Sequence, residues 1–249
     1  AAPLAIRKLL ANTAWHLGRL VHDGGDVRCE DGDLDAAHDR LAERVASALD
    51  LGHFPLVLGG GHEVAFGGWS GLNRHLGGKG RVGSINFDAH FDLRMKQELA
   101  SSGTPFFQIA EQCDAQGTTF HYACLGVAET ANTQALFARA NELGVWHVLD
   151  EEMTPADLPE LLNGLDAFVA RCDHLYLTLD LDVLPAAVMP GVSAPAARGV
   201  ELAVIEPLIA HIRASGKLRL ADLAEYNPSL DLDNRSARVA ARLVHQLTK

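Results

Sequence analysis

Asp88, His90 and Asp92 occupy every second position of N-F-D-A-H-F-D, residues 86–92, directly after the apolar stretch 82–85. Asp180 and Asp182 repeat the spacing after the apolar stretch 175–179. In extended backbone, side chains at i, i+2 and i+4 leave one face, so the spacing predicts that these groups share a cavity. Carboxylates buried together without cations are costly and are driven to protonate. Divalent metal removes that penalty. His62, in Gly59-Gly60-Gly61-His62-Glu63, completes a set of two imidazoles and four carboxylates, enough for two ions sharing bridging carboxylates. An oxygen-rich, sulfur-free set favours manganese over zinc. A single aspartate at a strand end is ordinarily a helix cap or turn residue, so the repeated spacing carries the expectation. The glycine triplet alone would fit a tight turn or a phosphate loop, but no Gly-Lys-Ser/Thr follows, which argues against nucleotide binding.

The elements that must position these groups are legible as alternating patterns. Strand-like stretches cover 56–58, 82–87, 122–126, 145–149, 175–179 and 218–224, and helix-like segments cover 35–49, 64–75, 133–143, 156–168, 201–214 and 234–247. A further helix-like pattern opens the chain at Pro3, Leu4, Ile6, Leu9 and Leu10. Strand–helix alternation predicts an α/β fold of three layers, α-β-α, around a mostly parallel sheet, in one domain over residues 1–249. In such sheets ligands bind beyond the carboxyl ends of the strands. The glycine–histidine segment, D-A-H-F-D, D-L-D and Glu225-Tyr226-Asn227-Pro228 follow the first, second, fifth and sixth strand-like stretches.

Composition narrows the partners. With 48% apolar and 21% charged residues the chain has the profile of a globular protein with a substantial core. A net charge of −11 and no run of Lys or Arg disfavour nucleic acid and anionic membrane. An acidic small molecule would need arginine placed locally. The cysteines, Cys29, Cys113, Cys124 and Cys172, form no paired motif, which fits a reducing cytoplasm. No signal-peptide profile and no membrane-length apolar run is seen. A helix pattern starting almost at Ala1 suggests that the natural chain begins further upstream.

G-G-G-H-E, D-A-H-F-D, L-D-L-D-V-L-P and E-Y-N-P, in this order and at these distances, resemble the signatures of the arginase/agmatinase/formiminoglutamase family, the ureohydrolases. The likeness covers nearly the whole chain and implies the arginase-like fold, with the family's glycine-rich N-terminal segment missing. It also implies two Mn²⁺ ions per chain. The first would be held by His62, Asp88, Asp92 and Asp180, the second by Asp88, His90, Asp180 and Asp182, with Asp88 and Asp180 bridging. Glu225 would grip the cationic nitrogen end of the substrate, and Asp92 would move a proton beside a metal-bridging hydroxide.

Departures from the arginase pattern point to one substrate class. Gly61 stands where arginases carry aspartate, and S-S-G-T-P-F, residues 101–106, resembles the formiminoglutamase version of a loop whose shuttle histidine is replaced by Phe106. Arg94 replaces an asparagine and, with Arg198, suits a substrate with two carboxylates, because a guanidinium grips carboxylate in a bidentate fork. Asn132 and Thr133, in a segment like the formiminoglutamase A-N-T, are candidate substrate contacts or a helix cap, and His121 a candidate replacement shuttle or a surface histidine. The expected activity is hydrolysis of N-formimino-L-glutamate, an acidic amino-acid derivative, to L-glutamate and formamide by a cytoplasmic homo-oligomer. The alternatives are a guanidino ureohydrolase releasing urea and a non-catalytic, metal-stabilised binding subunit.

Overall fold

Alternation of side chains decides how the strands face. In the computed structural model, which describes residues 1–249 except 17, 19, 31 and 98, six strands form one parallel sheet. They are β1 (Leu56–Leu58), β2 (Val82–Phe87), β3 (His121–Val127), β4 (Trp146–Leu149), β5 (His174–Asp180) and β6 (Leu218–Ala224). Ile85, Phe87, Leu175, Leu177 and Leu179 face a core built with α1 (Ala2–Leu10), α6 (Leu158–Ala170), α7 (Leu202–Ala214) and α8 (Arg235–Thr248). Tyr122, Cys124, Tyr176 and Leu220 face the opposite core, with α2 (Leu34–Asp50), α3 (Val64–Leu76), α4 (Pro105–Ala115) and α5 (Gln134–Glu142). The result is the three-layer α-β-α arrangement. By the same period of two, the buried polar residues Asn86, Thr178 and Asp222 lie on the second face.

The strand order is β1-β6-β5-β2-β3-β4. From β2 the chain steps outward to β3 and β4, then returns to β5 on the other side of β2. That reversal opens a crevice at the carboxyl ends of the two central strands, where ligands bind in doubly wound sheets. Asp88 follows β2, and Asp180 ends β5.

Helix α4 occupies a stretch to which the sequence patterns assign no element. Phe106, Ile109, Ala110 and Cys113 are buried at helical spacing, and Pro105 sits in the first turn, where its missing N–H is harmless. The preceding Ser101-Ser102-Gly103-Thr104 reads as loop and hides the start.

Candidate active site

The convergence of the acidic groups has a different cause from extended alternation, which the structure corrects. Asp88 Oδ1 accepts the backbone N–H of His90 at 2.7 Å, and Asp180 Oδ1 accepts that of Asp182 at 2.9 Å. Residues Leu181–Val183 form a 3-10 turn, and Asp92 has a left-handed φ of 49°. An aspartate at a strand end turns the chain by bonding the N–H two residues on. Each strand's first aspartate thus folds the next ligand back over the strand end.

His62 sits at the centre. Its Nδ1 lies 3.0 Å from Asp88 Oδ2, 2.9 Å from Asp92 Oδ2 and 3.1 Å from Asp180 Oδ2. A single ring nitrogen cannot satisfy three carboxylate oxygens, and this buried atom has no well-aligned hydrogen-bond partner. The other nitrogen, Nε2, is 2.9 Å from Thr178 Oγ1, whose hydroxyl donates to Asp222 Oδ1 at 2.6 Å. With its one hydrogen given to Asp222, Thr178 must accept from Nε2–H. In its neutral form the ring therefore has its lone pair on Nδ1, on the side of the carboxylates, the tautomer a metal ligand needs. Tyr176 donates its hydroxyl to Asp222 as well.

A second group adjoins the first. His90 Nδ1 is 3.1 Å from Asp182 Oδ2 and 3.4 Å from Asp88 Oδ1, and Asp182 Oδ1 is buried without a partner. Among the described residues two sets of converging donor atoms result: His62, Asp88, Asp92 and Asp180, and Asp88, His90 and Asp182. Asp88 is common to both, whereas Asp180 belongs to the first set alone. All donors are nitrogen or oxygen. The orphaned Nδ1 and Oδ1 atoms and the crowded carboxylates fit divalent cations.

Among the side chains alone, protons take the place of such cations. Burial, then the neighbouring carboxylates, push Asp92 and Asp180 up, and burial does the same to Asp182. Burial also acts to raise Asp88, but His62 and His90 outweigh it and hold this carboxyl below the usual range. His90 is pushed up to about 11 by Asp182 and Asp88. Burial disfavours a charged His62, but its three carboxylates together outweigh that and raise it well above the ordinary value.

A surrounding framework fixes the loops. Asn86 Nδ2 donates to Asp88 Oδ2 at 2.9 Å and to Tyr122 Oη at 3.0 Å, and Tyr122 donates to Phe91 O at 3.0 Å. Asn132 accepts the Phe91 N–H at 3.0 Å and donates to Ala89 O and Ala128 O, each at 2.9 Å. Its buried amide is committed to the backbone of the ligand loop, and Thr133 caps α5 by accepting from Leu136 N–H. Of the two readings the sequence leaves open for this pair, these hydrogen bonds display the cap at Thr133 and a backbone clamp at Asn132. Sequence neighbours single out Asn132, yet nothing local announces its three partners.

Glu225 borders the same crevice. Its Oε1 accepts the His62 N–H at 2.8 Å, its Oε2 accepts the Ser193 hydroxyl at 3.3 Å, and its own N–H donates to Gly60 O at 2.7 Å. Like Asp92, it adopts a left-handed backbone, with φ 66°. Such strain in non-glycine residues persists where surrounding contacts over-determine it, and it clusters at functional sites. Half-buried Glu63 lies beside it, raised by burial and by the charge of Glu225. A Cβ at Gly61 would fall 2.2 Å from Glu63 Oε2, and one at Gly59 2.9 Å from Leu223 O. Close packing therefore requires glycine at 59, whereas a Cβ at Gly60 would meet nothing within 4 Å.

The remaining candidates lie outside the two donor sets. Arg94 is exposed, its N–H bonded to Gly103 O at 2.9 Å. Exposed Arg198 donates to Glu151 O at 3.4 Å. Phe106 is fully buried, stacked on Tyr122 at 4.1 Å and edge-on to His62 at 5.6 Å, so it fills the space beneath the ligands. His121 opens β3 in register with Gly83, five residues before Asp88. At about 3.3 Å per residue it lies roughly 17 Å away, at the wrong edge of the sheet, and cannot act as a proton shuttle there.

A model described as "Arginase family" matches residues 1–249. The chain belongs to the arginase family. It is 88% identical over 248 residues to a formimidoylglutamase of Aeromonas hydrophila, covering 100% of this chain and 79% of that protein. To a formimidoylglutamase of Ralstonia nicotianae it is 56% identical over 248 residues, covering 98% and 76%. Two solved structures share the fold over 99% of this chain. The formimidoylglutamase of Bacillus subtilis has a TM-score of 0.88 at 24% identity, with 79% of that chain covered. A single-residue variant of the Trypanosoma cruzi formiminoglutamase, with Mn²⁺, has a TM-score of 0.85 at 24% identity, with 83% covered. Among the described residues no helix is long and apolar enough to cross a membrane.

Proposed function

We propose that this chain hydrolyses N-formimino-L-glutamate to L-glutamate and formamide, as a manganese-dependent member of the family. The observation that carries this is the juxtaposition of two ligand groups sharing Asp88 with a carboxylate, Glu225, bonded to the backbone of the ligand His62. A cationic amidine can be gripped by Glu225 beside the ions. The 88% identity to a formimidoylglutamase, together with Arg94 near the ligand loop, supports the glutamate-bearing amidine over a guanidine.

His62, Asp88, Asp92 and Asp180 would hold one ion, and Asp88, His90 and Asp182 the other, with manganese favoured by the donor chemistry. Bound there, divalent ions supply an acidified water and positive charge next to the amidine carbon. Asp92 accepts a hydrogen bond from the attacking water and delivers its proton to the glutamate nitrogen as the C–N bond breaks. Glu225 steadies the amidinium while the carbon becomes tetrahedral. Arg94 and Arg198 meet the substrate's carboxylates.

Elemental analysis combined with parallel turnover of N-formimino-L-glutamate, agmatine and arginine tests the proposal. Formamide from the first substrate, with about two manganese per chain, is expected. Urea from either of the others, or no turnover, overturns it.

A further inference from the structure

Besides its bonds with His62 and Gly60, Glu225 has an outer set of supports. Asp231 Oδ1 accepts the Ser236 N–H at 2.9 Å, and its Oδ2 accepts the Ala237 N–H at 3.1 Å, so it caps α8. The same Oδ2 accepts the hydroxyl of Tyr226 at 2.9 Å. Tyr226 is 4% exposed and directly follows Glu225. Fully buried Ser236 extends the contact to a second loop, accepting the Gly191 N–H at 2.8 Å. Asn227 N–H donates to Gly191 O at 2.7 Å, closing a ring. A Cβ at Gly191 would lie 2.7 Å from Ser236 Oγ, so the loop approaches this closely because it carries glycine. Two residues on, Ser193 donates to Glu225 Oε2.

Beside the direct bonds with His62 N–H and Gly60 O, two further supports of Glu225 return to one carboxylate. The left-handed backbone at 225 is followed by a tyrosine pinned to Asp231, and the hydroxyl on Oε2 comes from a loop pinned through Ser236. We infer that Asp231 is a positioning residue for Glu225, setting affinity for a cationic amidine without touching it. This rests on the proposed function, in which Glu225 grips the amidinium. A plain helix cap would leave that affinity alone.

The test uses the full chain loaded with manganese and formamidine as the probe, its binding read by calorimetry and by competition with substrate. Tyr226→Phe removes one hydroxyl and leaves the α8 cap intact. It should weaken formamidine roughly 3–10-fold, the loss of one hydrogen bond. Asp231→Ala should weaken it further, raising KM with kcat within about threefold and metal content unchanged. Asp231→Asn, which keeps an acceptor, should recover part of the loss. If these variants lower Tm but bind formamidine as the parent does, Asp231 is only a cap and the inference is overturned. Should Asp231→Ala fail to fold, Tyr226→Phe decides by the same criterion. Equal formamidine affinity in the parent and in Glu225→Gln would instead overturn the role of Glu225 itself, and the inference with it.

Discussion

The backbone N–H of His62 donates to Glu225 Oε1 at 2.8 Å, joining residues 163 positions apart. The peptide that presents the candidate metal ligand His62 therefore also aims the carboxylate that would receive substrate. Altering Glu225 should consequently act in two separable ways. Glu225→Gln keeps an oxygen acceptor for His62 and loses only charge, so it should raise KM about 10–100-fold with metal retained. Glu225→Ala also strands the His62 N–H, at a cost of about 1–3 kcal/mol, and should weaken metal binding in addition. Kinetics beside metal titration on both variants separate the effects; equal metal affinities would contradict the coupling.

Thr178 orients His62 through Nε2 while donating to Asp222. Thr178→Val removes the oxygen and leaves both partners short. Loss of such an outer contact typically weakens a metal site about 10–100-fold. Thr178→Ser should recover most of it. The apparent metal Kd of the two variants is the readout, and a Val variant matching the parent would remove the tautomer argument.

Because Asp88 serves both donor sets and Asp182 only one, their substitutions should differ in stoichiometry. Asp88→Asn is expected to cripple both ions and lower turnover at least about a hundredfold, since a two-ion site loses its shared ligand. Asp182→Asn should leave close to one ion per chain. Mass spectrometry of metal content after dialysis distinguishes them.

Removing metal should make stability fall with rising pH. His90 is raised from 6.5 to about 11 by its carboxylates. A raised folded-state pKa gives stability that is fully present below 6.5 and lost as pH rises through about 11. Asp92 and Asp180, also raised, act with the same sign from the lower end of the scale. Chelated protein should therefore melt at progressively lower temperature between about pH 7 and pH 10, relative to a His90→Asn variant. Parallel melting curves for the two would refute this. Manganese should flatten the dependence, because bound metal displaces the protons and stabilises the folded state.

Arg94→Ala should raise KM for the acidic substrate about tenfold or more with little change in kcat, the pattern of lost uniform binding. The stem of Arg94 runs over Gly103, where a Cβ would lie 3.0 Å from Arg94 Cδ. Gly103→Ala should accordingly displace the same side chain and raise KM in the same direction. An unaltered KM in Arg94→Ala would remove its assignment to substrate.

The strands, and the side chains whose donor atoms converge beyond them, are legible in the sequence because two apolar runs end in paired acidic groups. How the ligands converge is not, since spacing of two suits an extended strand and an aspartate turn alike; only the bonds from His90 and Asp182 N–H decide it. Helix α4 carries its signal at Phe106, Ile109, Ala110 and Cys113, masked by the loop before it. His121 drops out as a shuttle because a residue at a strand's start cannot share an edge with residues at the ends of its parallel neighbours. Asn132 and Thr133 show the common ambiguity of polar residues ahead of a helix, which cap and clamp at least as often as they bind.

The donors come from residues 62, 88–92 and 180–182, and the sixth strand must dock before Glu225 reaches His62. Long-range pairing of this kind is slow to nucleate, because chain closure precedes its reward. A nascent chain emerging from the ribosome has no complete cation cradle until Asp182 has been made, and the carboxylate for substrate arrives later still. On the metal chemistry proposed above, an ion could therefore be held only once the central strands had found one another.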